Sequence, residues 1–162
     1  MRKNLVPVGL GIVALFLQTA AFPHVFATFT KPDLILIFAV YLGLFHEPIM
    51  GGILVFFLGC LMDVFAGSTL GFFALTKTLV FLLSYGFRGH LYFGSHIAKA
   101  GLVSLAGFIE AAIFVLLASL TASGTNLLFS TGRVFIPHII LTGVVAPFCF
   151  FLLQRTRILA YD

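Results

Sequence analysis

The chain has 162 residues, of which 61% are hydrophobic and only 9% are charged. A soluble domain of this size needs more polar side chains to cover its surface, so the composition excludes a water-soluble fold. The net charge of +4 comes from scattered Lys and Arg residues, which argues against a nucleic-acid partner and favours a role in membrane orientation. Because a membrane-crossing helix needs about 20 apolar residues, the length allows about six spans in one integral membrane domain.

The first predicted span covers residues 5–22 and ends before Pro23. The opening Met1-Arg2-Lys3 and the later Thr19-Ala20-Ala21 also fit a signal peptide with a cleavage region. The length of the apolar run and the hydrophobic segments that follow it favour a retained span.

The second predicted span covers residues 33–46. Pro32 suits the first turn of a helix, and the carboxylate of Asp33 complements the positive end of the helix dipole. This span is short, so we expect it to extend slightly or to lie where the bilayer is locally thin.

The remaining predicted spans cover residues 49–66, 70–87, 100–120 and 134–153. The third and fourth are separated only by Gly67-Ser68-Thr69, so they should form a tight antiparallel hairpin. Polar segments, Arg88–Lys99 and Thr121–Arg133, flank the fifth span. Pro147 lies inside the sixth span and is expected to kink or locally unwind it unless neighbouring groups replace the missing hydrogen bond.

An even number of spans places both termini on one side of the membrane. The basic residues then divide six against two: Arg2, Lys3, Arg88, Lys99, Arg155 and Arg157 on the side of the termini, and Lys31 and Arg133 on the other. The positive-inside rule therefore predicts a multi-pass membrane protein with cytoplasmic termini.

The most informative segment runs from Gly59 to Gly71. Asp63, its only charged residue, lies near the C-terminal end of the third span, where the helix dipole disfavours an anion. We expect compensation from backbone N–H groups at the start of the fourth span and from the hydroxyls of Ser68 and Thr69.

Small residues in the same segment, Gly59, Gly67 and Gly71, would let the two helix backbones approach closely. The segment then has two interpretations of similar weight. It is either a fixed docking surface or pocket wall, or a locally satisfied hairpin that only stabilises the fold.

Two further charges, Lys77 and Glu110, lie well inside apolar runs, and such residues should face the bundle interior and find partners. Lys77 could pair with Asp63 or Glu110, or extend toward the outer surface. A structural ion pair is the favoured interpretation, and a proton or ion path is the alternative.

No motif in the sequence predicts an enzyme, a metal site or a cofactor. The two cysteines, Cys60 and Cys149, lie in apolar runs and are expected to be packing residues. The histidines show no metal-ligand spacing and are expected at surfaces or interfaces: His24, His46, His90, His96 and His138.

Four short motifs together resemble the rod shape-determining protein MreD family of bacteria. They are Lys31-Pro32-Asp33-Leu34-Ile35-Leu36 with Tyr41, Gly59-x-x-x-Asp63-x-x-x-Gly67-Ser68-Thr69-Leu70-Gly71, Gly143-Val144-Val145-Ala146-Pro147, and the basic tail after the last span. Length and predicted span count are also similar. Lys77 is not part of the pattern that carries the resemblance.

The resemblance implies a non-enzymatic component of the cell-elongation machinery at the inner membrane. Its implied partners are MreC, a bitopic membrane protein, the actin-like MreB filament, and the glycosyltransferase RodA with its transpeptidase partner. The implied fold is all-helical and similar to the six-helix substrate-binding subunits of energy-coupling-factor vitamin transporters.

Two functions therefore compete at this point. The leading one is a scaffold whose lipid-facing side binds the single span of a partner, with glycine faces at Gly51-Gly52, Gly67, Gly71 and Gly101–Gly107 as candidate contacts. The alternative is a vitamin-binding transporter subunit, in which Asn126, Glu110, Lys77 and Asp63 would supply the polar groups of a pocket. A proton-coupled transporter or lipid flippase is a third, weaker option.

Overall fold

The computed structural model describes residues 2–21, 32–66, 71–89, 96–121 and 127–159. Within these ranges the regular structure is entirely helical. The six α-helices are α1 (Arg2–Phe16), α2 (Leu34–Phe45), α3 (Pro48–Ala66), α4 (Phe72–Gly86), α5 (His96–Thr121) and α6 (Leu127–Leu159). A π-helical segment, Leu17–Ala21, continues α1, and a 3₁₀ turn, Phe87–Gly89, follows α4.

Three segments in the described ranges are long and apolar enough to cross a membrane: Pro48–Phe65, Ala98–Leu116 and Ile136–Arg155. Two shorter apolar helices cover Pro7–Ala20 and Leu34–Phe45. The all-helical, membrane-type architecture expected from composition is therefore present. The crossing of the bilayer by all six helices stays a prediction.

One expectation about the C-terminal half was wrong. The segment Thr121–Arg133 was predicted to be a polar loop, but α6 already begins at Leu127, because Leu127-Leu128-Phe129 adds an apolar start to the helix. Helix α6 continues as an α-helix through Pro137 and Pro147, without local unwinding at Pro147, and a kink at that residue stays a prediction.

Helix α2 is the centre of the bundle and packs against each of the other five helices. Its residues 35–44 are all buried, which fits a segment that contains no charged residue on any face. The outer helices instead leave large apolar side chains exposed, among them Phe57, Val64, Phe108 and Val144. An apolar exterior around a packed centre is the arrangement that a lipid solvent favours.

Helices α3 and α4 approach closely at Gly59. A Cβ placed on Gly59 would lie 2.5 Å from the Cα of Ala74 and 2.8 Å from its backbone nitrogen. The glycine is therefore required for the contact between the two backbones, as expected for small residues between membrane helices.

The glycine pair Gly51-Gly52 also faces inward. A Cβ on Gly51 would lie 2.8 Å from the ring of Phe81, and one on Gly52 would lie 3.4 Å from the same ring. This face of α3 is thus occupied by α4. The prediction that Gly51-Gly52 forms an outer contact surface is wrong for Gly51, which is buried.

Candidate functional site

Lys77 lies in the middle of α4 with its side chain fully buried. Its ammonium nitrogen donates to Oδ2 of Asp33, and it lies 2.6 Å and 2.8 Å from Oε1 and Oε2 of Glu110. The two carboxylate side chains are 4% and 7% exposed, so both ion pairs are almost completely buried. We call Lys77, Asp33 and Glu110 the buried ion cluster.

Asp33 holds its place in the cluster because it also begins α2. As the N-cap residue it accepts a hydrogen bond from the backbone N–H of Leu36 at 2.8 Å, through Oδ1. The same oxygen accepts from Nε2 of Gln18 at 3.1 Å. The backbone N–H of Asp33 donates to the hydroxyl of Thr142 at 3.1 Å.

Gln18 and Thr142 extend the polar contacts to both ends of the chain. Oε1 of Gln18 accepts from the backbone N–H of Ile35 at 3.0 Å, so this side chain binds two successive groups at the start of α2. The hydroxyl of Thr142 donates to the backbone carbonyl of His138 at 2.7 Å. The side chain of His138 is close enough to Asp33 and Glu110 to interact with both electrostatically.

The cluster therefore connects five parts of the fold. Glu110 belongs to α5, Lys77 to α4, Asp33 to the start of α2, Gln18 to the π-helical segment and Thr142 to α6. In a low-dielectric interior, removing one partner leaves the others as uncompensated charges or unsatisfied donors. This arrangement makes the packing of these elements mutually dependent.

Sequence reasoning anticipated part of this cluster. The pairing of Lys77 with Glu110 was among the alternatives, and the structure contains it. Asp33 was interpreted as a residue at the start of a helix and as part of a motif that carries the family resemblance, and its contact with Lys77 was not predicted. Gln18 was not singled out, because an uncharged amide near the end of a span gives no signal of its own.

Asp63 forms a second site at the start of α4. Its side chain accepts three backbone N–H groups: Gly71 at 3.0 Å, Phe73 at 2.8 Å and Ala74 at 3.2 Å. Asp63 is only 1% exposed, so these donors replace its hydration. The backbone compensation predicted from the sequence is thus present, whereas Gly67, Ser68 and Thr69 lie outside the described residues.

Gly71 gives the chain the conformation that this contact needs. It precedes α4 with φ +93°, in the left-handed region, and its N–H points to Asp63. The charge also lies at a helix N-terminus, where free N–H groups and the dipole favour an anion. The Asp63 carboxylate on α3 therefore holds the start of α4 in place.

Two findings in the described residues concern metal and ligand binding. They contain no group of three or more His, Cys, Asp or Glu side chains that could hold a metal ion. A cavity of about 40 Å³ is lined by apolar residues of α1 to α3 and by His46. Ligand pockets usually measure about 300–1,000 Å³, so this cavity does not fit a vitamin. Asn126 lies outside the described residues.

A bundle with an apolar exterior and with buried charges that contact one another defines the class of this protein: a multi-pass membrane protein built from helices. Within that class, the family model described as rod shape-determining protein MreD matches residues 2–156. The chain belongs to the MreD family, and the resemblance seen in the sequence is confirmed. No curated protein and no solved structure matches it significantly.

Membership gives the protein a role in rod shape determination, in which the family works in a complex with MreC and MreB. The family is one of structural proteins for cell shape and is not known for catalysis. The similarity to the substrate-binding subunits of energy-coupling-factor transporters stays a prediction.

Proposed function

We propose that the protein is a non-enzymatic scaffold of the bacterial cell-elongation complex, with six spans in the inner membrane and both termini in the cytoplasm. In this role it binds the single span of an MreC-like protein and couples MreB filaments to peptidoglycan synthesis. RodA and its transpeptidase partner belong to the same assembly.

One observation carries the proposal: the family match covers nearly the whole chain. The contacts of the buried charges are consistent with it. Lys77, Asp33 and Glu110 contact one another, and Asp63 contacts the backbone of the next helix. These contacts join helices together, which is what a scaffold requires of its interior. A partner would therefore bind to the apolar side chains on the exterior of the bundle.

The exposed face of α5 is the best candidate for that contact. A Cβ on Gly101 would meet nothing within 4 Å. Leu105 and Phe108 lie four and seven residues further along the helix, on the same face, and are 50% and 67% exposed. A glycine beside large exposed side chains lets another helix approach closely and pack against them.

Affinity purification of the full chain from membranes tests the proposal. An MreC-like protein should co-purify, and MreB, RodA and the transpeptidase should follow with it. Deletion of the gene should convert rods to spheres. Normal rods after deletion, together with no co-purification of any of these proteins, would contradict the proposal.

Site-directed crosslinking locates the partner. In a chain with Cys60 and Cys149 replaced by Ser, a single cysteine at Leu105 should form a disulfide with a cysteine in the partner's span. A cysteine at Val64 on α3, which is 66% exposed, is the matched control and should not crosslink. Equal crosslinking at both positions would exclude a specific contact at α5.

A further inference from the structure

The two carboxylates of the buried ion cluster have different hydrogen-bond environments. Asp33 accepts from three donors: the backbone N–H of Leu36, Nε2 of Gln18 and the ammonium of Lys77. The orientation of the Gln18 amide is fixed because its oxygen accepts from Ile35, so its NH₂ group must face Asp33. Three donors thus stabilise the negative charge of the Asp33 carboxylate.

Glu110 has a different environment. Among the described residues, the one hydrogen-bond donor to its carboxylate is the ammonium of Lys77. That ammonium is already neutralised by Asp33. An ionised Glu110 would therefore give the cluster one surplus negative charge in a side chain that is only 7% exposed, and desolvation disfavours such a charge.

We propose that Glu110 is a proton-binding site inside the helical bundle. At neutral pH its carboxyl group carries a proton and the cluster is electrically neutral. When the pH rises, the O–H bond of the carboxyl breaks, the proton leaves to water, and Glu110 becomes a second anion on Lys77. Proton occupancy thus changes how strongly α5 is held to α4. The inference does not depend on which partner the scaffold binds.

Within the part of the chain that the structure describes, three charged or titratable groups interact with Glu110 from the elements packed against it. They are Lys77 on α4, Asp33 at the start of α2, and His138 on α6. His138 is the competing source of neutrality, because a protonated imidazole would balance an ionised Glu110. The test must therefore separate a proton on the carboxyl from a proton on the imidazole.

Infrared spectroscopy of the purified full chain in lipid vesicles makes this separation, because a protonated carboxyl has a C=O stretch that carboxylates lack. At pH 7 the wild-type protein should show one such band, which should disappear as the pH is raised. Glu110→Gln should lack it. Asp33→Asn should lack it too, since Lys77 would then need Glu110 as its counter-ion. Glu47→Gln, at an exposed position outside the cluster, is the control and should keep the band.

Thermal unfolding supplies a second readout that works even if the Asp33 variant fails to fold. A protonated Glu110 resembles Gln, and an unfolded glutamate is also protonated below its ordinary pKa of about 4.3, so wild type and Glu110→Gln should unfold at similar temperatures near pH 4. As the pH rises above that value, the wild type should lose stability relative to Glu110→Gln, because the unfolded chain releases the proton while the folded protein still holds it. The loss ends once the pH passes the pKa of Glu110 in the folded protein. The Glu110→Gln protein should not show this loss of stability.

Three results would overturn the proposal. The first is the absence of the band from the wild-type protein at pH 7. If the band then appears in His138→Gln, the positive charge that balances Glu110 belongs to His138. The second is a band that persists in Glu110→Gln. The third is identical pH dependence of unfolding for the wild type and Glu110→Gln.

Discussion

The ammonium of Lys77 reaches both carboxylate oxygens of Glu110, at 2.6 Å and 2.8 Å, and this contact joins α4 to α5 across the bundle. The same ammonium donates to Asp33, so one lysine links three helices. Ion pairs that are buried this deeply contribute little compared with well-packed apolar residues, but breaking one of them is costly. Removing the lysine alone should therefore destabilise the bundle more than removing all three charges together.

Replacing Lys77 with Met should destabilise the protein by about 3–5 kcal/mol, the usual effect of leaving a buried partner uncompensated. Thermal or denaturant unfolding of the purified protein in micelles measures the change. The triple variant Lys77→Met, Asp33→Asn, Glu110→Gln removes every charge of the cluster and should recover most of the loss. Wild-type stability of Lys77→Met alone would contradict the structural role of the cluster.

Asp63→Ala should weaken the connection between α3 and α4, because it leaves the N–H groups of Gly71, Phe73 and Ala74 without their acceptor. We expect a loss on the order of 3 kcal/mol. In cells, the variant should lose rod shape or partner retention while some protein stays in the membrane. Asp63→Asn keeps one acceptor oxygen, so its stability should lie between that of the wild type and that of Asp63→Ala. If Asp63→Ala has wild-type unfolding and supports wild-type cell shape, Asp63 does not stabilise the contact between α3 and α4.

The contrast between these two sites explains how much the sequence could predict. Asp63 and its donors are at most 11 positions apart in the sequence, so local helix-terminus chemistry was enough to predict their contact. Asp33 and Lys77 are 44 positions apart, and Asp33 and Thr142 are 109 apart. Those contacts depend on which helix occupies the centre, and apolar runs of similar composition do not reveal this.

Composition also predicted helices where the apolar runs are long but misplaced the start of α6. The residues before Arg133 include Ser and Thr, which suggested a loop, yet a helix can include such residues when apolar residues begin it. The central position of α2 could not be predicted either, since its short apolar run was attributed to a slight extension of the span or to a locally thin bilayer. Its burial by the other five helices accounts for the uniform hydrophobicity.

Gly59→Ala should destabilise the contact between α3 and α4, because the new methyl group would meet the backbone of Ala74 rather than a flexible side chain. Overpacking of this kind typically costs about 1–3 kcal/mol. Unfolding of the purified protein measures the loss. Gly101→Ala is the matched control: it places the same methyl group in open space on another helix and should be neutral. Equal effects of the two substitutions would contradict the close approach at Gly59.

Gly101→Leu should reduce co-purification of the MreC-like partner without lowering the stability of the isolated protein. The glycine is exposed, and nothing lies within 4 Å of the position of its Cβ, so the bundle has room for the larger side chain. A helix that packs against Gly101, Leu105 and Phe108 would instead be held away by it. Gly9→Leu on α1 is the matched control, since Gly9 is also exposed with nothing within 4 Å. Quantitative pull-down, with unfolding temperatures of both variants measured in parallel, checks the prediction. A loss of partner that is equal for Gly9→Leu and Gly101→Leu, or absent from both, would place the contact on another face of the bundle.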